Sequence, residues 1–171
     1  MSNELPSIEI RRLTPDWKQP LIVFFRILEQ AGDIGFFQPH PFTDEAVEGV
    51  LRGIRRDLYY VLAIGIEVVG YGMLRGWDEG YDIPSLGIAI HPAVRGNGLG
   101  RAFMHFLEAA AKYRGADKLR LRVKSQNIPA KRLYESLGYE FSAEENGGYV
   151  VGFLELHPRT SPARSRKVCD A

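Results

Sequence analysis

Ile88-Ala89-Ile90-His91-Pro92-Ala93-Val94-Arg95-Gly96-Asn97-Gly98-Leu99-Gly100 is the stretch whose reading decides the fold. An apolar, largely β-branched run stops at Pro92, a glycine-rich turn follows, and a helical apolar period begins at Leu99. The reading is a strand delivered to a helix through a loop of bare backbone. Gly96, Gly98 and Gly100 carry no Cβ, so successive N–H groups can point into one concavity. The helix start adds unpaired donors and the positive end of its dipole, which together suit a pyrophosphate.

Two phosphate-binding loops fail the comparison. A P-loop closes with Gly-Lys-Ser/Thr, and here Arg101 and Ala102 follow Gly100. The dinucleotide fingerprint puts its third glycine where Arg101 stands and wants an acid about twenty positions on. The end of that next strand offers Lys124 and Ser125 instead. The pattern that fits is Arg-x-x-Gly-x-Gly after a strand and a proline, and in it the sequence resembles the GNAT superfamily of acyl-CoA-dependent N-acetyltransferases. The resemblance continues through Asn127, Ala130, Leu133-Tyr134 and Leu137-Gly138-Tyr139. It is close over residues 85–141 and general in layout before them.

The resemblance implies a single mixed, mostly antiparallel sheet with helices on both faces. It implies acetyl-CoA as acyl donor, held by the backbone of Ile88, Ala89 and Ile90 and by Arg95, Gly96, Asn97, Gly98, Leu99, Gly100 and Arg101. By the same resemblance Asn127 holds the pantetheine arm and Tyr134 stands near the sulfur as general acid. Each residue also has a plainer reading: strand core for the isoleucines, a solvated loop for the arginines, a turn for Asn127, a buried ring for Tyr134.

The rest of the chain bounds this reading. Its 171 residues are 45% hydrophobic and 25% charged, the balance of one globular domain. A net charge of +1 supplies no field for nucleic acid, and no apolar run is long enough to span a membrane. Cys169 is the single cysteine, so no disulfide forms within these residues. Residues 1–20 lack a signal peptide's charge-then-apolar order, and the expected location is cytoplasmic. No His/Cys spacing reads as a metal site.

In chain order, alternation makes Ile8 to Arg11 a strand, and Thr14 is expected to cap a helix whose inner face is Leu21, Ile22, Phe24, Phe25 and Leu28. A glycine- and aromatic-rich loop leads to a second helix capped by Thr43. Leu58–Ile64 and Val68–Leu74 pair as a hairpin, and Leu86–Ile90 is the next strand, with a bulge expected at Gly87. A helix from Leu99, a strand from Leu119 to Val123, a short helix over Leu133 and Leu137, and strands at Phe141 and Tyr149–Leu156 complete the domain, residues 1–157. Residues 158–171, with four basic residues and no apolar period, are expected to be a flexible tail.

The acceptor side is less defined. Many members of the family carry a glutamate in the strand before the glycine loop or in the next, and neither Ser85-Leu86-Gly87-Ile88 nor Arg120-Leu121-Arg122-Val123 has one. The nearest acids are Asp78, Glu79 and Asp82, with Glu79 the first choice of general base for its reach. His40, in the first long loop, and Trp77 are expected at the acceptor pocket. The expected partner is a small amine, an amino sugar or another polar amine, handled by a monomer or homodimer. A protein or peptide acceptor, or a non-catalytic acyl-CoA sensor, are the alternatives.

Overall fold

Apolar residues recurring at helical spacing and strands with alternating faces sort the chain into the expected order. The computed structural model describes residues 7–142 and 147–156. β1 (Ile8–Arg12) leads to α1 (Lys18–Gln30) and α2 (Asp44–Gly53), then β2 (Leu58–Ile64), β3 (Glu67–Arg75) and β4 (Ser85–Ile90). α3 (Leu99–Tyr113), β5 (Lys118–Lys124), α4 (Ile128–Ser136), β6 (Glu140–Phe141) and β7 (Tyr149–Glu155) follow. The strands make one sheet in the order β1-β2-β3-β4-β5-β7-β6. Every neighbouring pair is antiparallel except β4 beside β5. The open mixed sheet with helices is the fold that the resemblance implied. Among the described residues no helix is long and apolar enough to cross a membrane.

Local chemistry sets the helix ends. Thr43 Oγ1 accepts from the Ala46 N–H at 3.2 Å, with Asp44 and Glu45 in the first turn of α2 and Arg52 in its last. Thr14 makes no such bond: a short 3-10 turn at Pro15–Trp17 intervenes before α1. The basic tail expected over residues 158–171 lies outside the described residues.

Each face of the sheet has its own core. On one, Leu74, Leu86 and Leu121 pack against Phe103, Met104 and Leu107 of α3. On the other, Tyr59, Val61, Tyr71 and Ala89 pack against Leu21, Ile22, Phe24, Phe25 and Leu28 of α1. Each such side chain removed from water contributes about 1.5–3 kcal/mol before entropy is counted. This second core draws on β2, β3 and β4 only. Further along the same face, Arg120 and Arg122 of β5 are exposed.

Two glycines of the sheet matter for different reasons. Gly87 does not form a bulge: β3 and β4 keep register through it, from Gly70↔Ile90 to Arg75↔Ser85. The bulge is in β3 instead, where Leu62 pairs Gly70 and Ala63 pairs Val68, leaving Val69 extra. Gly72 is bare because α3 lies against it. A Cβ there would come 2.7 Å from Phe103 Cζ and 3.0 Å from Leu107 Cδ1, both on fully buried side chains. Gly72→Ala should therefore overpack the α3 interface and cost about 1–3 kcal/mol. Thermal unfolding checks it: Tm should fall by ~2–4 °C per kcal/mol, and an unchanged Tm would show that α3 yields freely.

Candidate active site

Between β4 and β5 the sheet opens. The two strands pair only at Ser85↔Arg120 and Leu86↔Leu121, whereas β4 stays paired with β3 as far as Ile90. The His91 N–H donates to the Val69 carbonyl at 2.8 Å. By antiparallel alternation Ala89 then bonds β3, and Ile88 and Ile90 turn their backbone groups toward the gap. A cavity of about 630 Å³ occupies that gap, walled by Ile88, Ala89 and Ile90, by Gly96, Gly98 and Gly100, and by Asn127 and Tyr134.

The glycine loop forms one end. His91 Nδ1 accepts from the Ala93 N–H at 3.1 Å, holding the turn after the strand. Gly96 and Gly98 take φ of +80° and +79°, which L side chains rarely adopt, and Gly98 is the residue from which α3 starts. A Cβ on either would meet nothing within 4 Å. The protein does not fill the space over these glycines, so the loop is shaped as a cradle. Gly100 lies between Ile90 and Leu133, each 3.7 Å from where its Cβ would be. Asn97 and Leu99 belong to the loop without lining the cavity; Asn97 Nδ2 donates to the Val94 carbonyl at 3.3 Å.

Three polar side chains of this cavity, Arg95, Arg101 and Asn127, are already engaged. Arg95 Nε donates to the Ile90 carbonyl at 2.9 Å, and its guanidinium grips both carboxylate oxygens of Asp33, in the loop between α1 and α2. Arg101 donates to Ser136 Oγ at 2.7 Å, tying α3 to α4. Asn127 Oδ1 accepts from the Ala130 N–H at 3.3 Å as the cap of α4. Tyr134, 8% exposed, rests its ring against Tyr139 at 5.9 Å. Its hydroxyl has no hydrogen-bond partner among the described residues, and burial pushes the phenol up to about 12.

A second cavity, of about 710 Å³, lies beyond β4 on the α1 face, over the starts of β4 and β5. Met73, Arg75, Glu79, Asp82, Ser85 and Arg120 are among its walls. Gly87 separates the two. An ideal Cβ there would meet Met73 of this cavity at 2.3 Å and Phe37 of the first at 3.5 Å.

The turn carrying Glu79 is fixed by a pair of aspartates. Buried Asp57 Oδ1 accepts from the N–H groups of Gly76 (3.0 Å) and Asp78 (3.1 Å). Asp78 in return accepts from the N–H groups of Arg55, Arg56 and Asp57 at 3.2, 2.7 and 3.3 Å. Desolvation raises the Asp78 carboxyl, but these donors outweigh it and hold it below the usual carboxylate value. Asp78 is thereby a structural clamp, and Glu79 and Asp82 are the carboxylates left facing the cavity.

Trp77 and His40 are not where the sequence placed them. Trp77 is 7% exposed, packed in the α3 core with the Arg114 guanidinium 4.9 Å above its ring, and lines neither cavity. The turn has no period from which to read a face, and the chain crosses the sheet edge between Trp77 and Glu79. His40 is edge-on to Phe25 at 5.3 Å, with Nδ1 2.8 Å from the Pro41 carbonyl, and it too lines neither cavity. Burial lowers its pKa, so the imidazole stays neutral at neutral pH. Asp33, Phe37, Arg75 and Arg120 escaped the sequence reading. Alternation along β5 signalled the face of Arg120, but nothing local signals what lies opposite it.

Residues 24–139 match the Acetyltransferase (GNAT) family, and the chain belongs to it. Solved structures share the fold at low identity. A domain from Methanocaldococcus jannaschii aligns with a TM-score of 0.72 and 21% identity over 88% of this chain and 99% of that one. The ribosomal-protein-S18-alanine N-acetyltransferase from Escherichia coli aligns at 0.68 and 20%, over 88% and 95%. The ribosomal-protein-S5-alanine acetyltransferase from Vibrio fischeri aligns at 0.70 and 12%, over 91% and 96%. As a family member the chain is a GNAT acetyltransferase domain.

Proposed function

We propose that this chain transfers the acetyl group of acetyl-CoA to a primary amine of a small polar acceptor, both substrates being bound at once. The observation that carries the reading is the pair of cavities, with Gly87 close to a wall residue of each. One has a glycine cradle at its far end and, along its wall, strand backbone that no neighbouring strand pairs; the other has carboxylates. The cradle fits the pyrophosphate of CoA, and the Ile88 and Ile90 backbone fits the pantetheine amides as an added strand would. Arg95 and Arg101 are the cations nearest the phosphates, and Asn127 borders the arm. Acetyl-CoA supplies the acyl group as a thioester. A protein acceptor is the second reading, supported by the two ribosomal-protein-alanine acetyltransferases among the structural neighbours and by the open face of β5 beside the second cavity. A sensor that binds acyl-CoA without turnover is the third.

Three tasks fall to the protein. Gly96, Gly98, Gly100 and the β4 backbone position the donor. An amine of pKa about 10 arrives protonated, and Glu79 takes that proton, directly or through water. The N–C bond then forms as the C–S bond breaks, and the proton left on nitrogen passes to solvent. Tyr134 meets the charge developing on sulfur. A phenol at about 12 keeps its proton beside a thiol of pKa near 8.5, so Tyr134 acts by donating a hydrogen bond rather than by giving its proton away.

Steady-state release of CoA with a panel of amines tests the function, and no release with any amine or peptide would leave only the sensor. Gly98→Val forces a β-branched residue into a left-handed backbone and puts a side chain into the cradle. Calorimetry should show CoA affinity falling at least about tenfold with the protein still folded; parental affinity would place the cofactor elsewhere. Glu79→Gln removes the base and keeps its shape. The acidic limb of the kcat/KM–pH profile should be lost, and an unchanged profile would move the role to Asp82 or water. Tyr134→Phe deletes one hydroxyl. We expect kcat to fall about a hundredfold with acetyl-CoA affinity and Tm nearly unchanged, and an equal kcat would end its part in the chemistry.

A further inference from the structure

The second cavity is polarised, and we infer that the acceptor amine also carries an anionic group, a carboxylate or phosphate, which Arg120 binds. The inference rests on the reading above that this cavity receives the acceptor. Glu79 and Asp82 line it from the turn after β3, and Arg120 lines it from β5. Arg120 pairs in register with Ser85 of β4 on one side and Phe153 of β7 on the other, and both line the same cavity. Its place on the wall is therefore set by two ladders and not by a loop.

β5 alternates, so Lys118, Arg120, Arg122 and Lys124 share one face. Lys118 pairs with Glu155 at 2.6 Å and lies over the Phe153 ring. Arg122 stacks on Tyr149 at 3.8 Å, and Lys124 lies 5.6 Å from the same ring. Arg75, the other cation of the cavity, donates to the Pro39 carbonyl at 3.1 Å and stands 3.9 Å from Glu79. The Arg120 side chain makes no ion pair or hydrogen bond among the described residues, and it is exposed. A row of like charges on one strand is unfavourable by itself, and a bound anion relieves it. The guanidinium offers a planar fork that carboxylate and phosphate both match.

The cavity thus reads as a site for a short zwitterion. Its ammonium end meets Glu79 and Asp82, its anionic end meets Arg120, and Met73, Ile83 and Phe153 cover the carbons between. A diamine would put its second charge against Arg120, which disfavours it. This replaces the amino sugar as the expected acceptor.

The test uses four small amines with acetyl-CoA: β-alanine and O-phosphoethanolamine as the two anionic kinds, ethanolamine as neutral and putrescine as cationic. CoA release should give an anionic amine a kcat/KM at least about tenfold above ethanolamine, with putrescine lowest, and the better of the two anionic probes identifies the group. Arg120→Gln should raise the KM for that amine about tenfold or more while kcat and the KM for acetyl-CoA hold, and Arg120→Lys should recover part of the loss. Ethanolamine or putrescine as the best acceptor, or an Arg120→Gln enzyme with unaltered KM, overturns the inference. Calorimetry of the same amines on the CoA-loaded protein separates the two readings. Arg120-dependent binding of an anionic amine without turnover would sink the transfer reaction and keep the anion site. Turnover of other amines with no binding of either anionic probe would do the reverse.

Discussion

The parting of β4 from β5 is the constraint on which the site depends. Two parallel strands that stay paired satisfy each other's backbone; here the ladder ends at Leu86 and Leu121, and the interior of a sheet is left with unused donors and acceptors. Dry, each such group would cost about 1–3 kcal/mol. The cavity resolves this by giving the Ile88 groups and the Ile90 N–H access to water or to a ligand, while the Ile90 carbonyl accepts from Arg95. The same gap admits the start of α3, whose Gly100 fits between Ile90 and Leu133. Opening, cradle and helix terminus are therefore one arrangement, held from behind by α3 lying on Gly72.

A second consequence concerns the loop between α1 and α2. Arg95 joins it to the glycine loop through Asp33, and the same guanidinium caps the Ile90 carbonyl. An ion pair this exposed is worth ~0–1 kcal/mol, so it orders the two loops without locking them. Asp33 and Arg95 both line the first cavity, so the two loops meet at its wall.

What the sequence made legible follows from what is local. Strand alternation, helical period, the Thr43 cap and the glycine spacing all act within a few residues, and each element they define is present where expected. The opening between β4 and β5 is not legible in local pattern, because pairing between strands some thirty residues apart leaves no mark on either. Gly87 shows the limit well: glycine in a strand has two common reasons, a bulge or a close approach, and the choice depends on Met73 and Phe37 across space. Trp77 and Glu79, two positions apart in one turn, go to opposite sides of the sheet. Asp78 between them looked like a candidate base until three backbone donors accounted for its carboxylate.

The sheet also has two ends, β1 and β6, and any open sheet invites a foreign strand at each. They are blunted in different ways. β6 is only two residues long, too short to template a partner. β1 is longer but carries Glu9, Arg11 and Arg12 among its five residues, so a chain laid along it would have to accommodate three charges. The fold thereby confines strand-like binding to the interior gap beside β4, where access is narrow, and denies it at the rims, where self-association would begin.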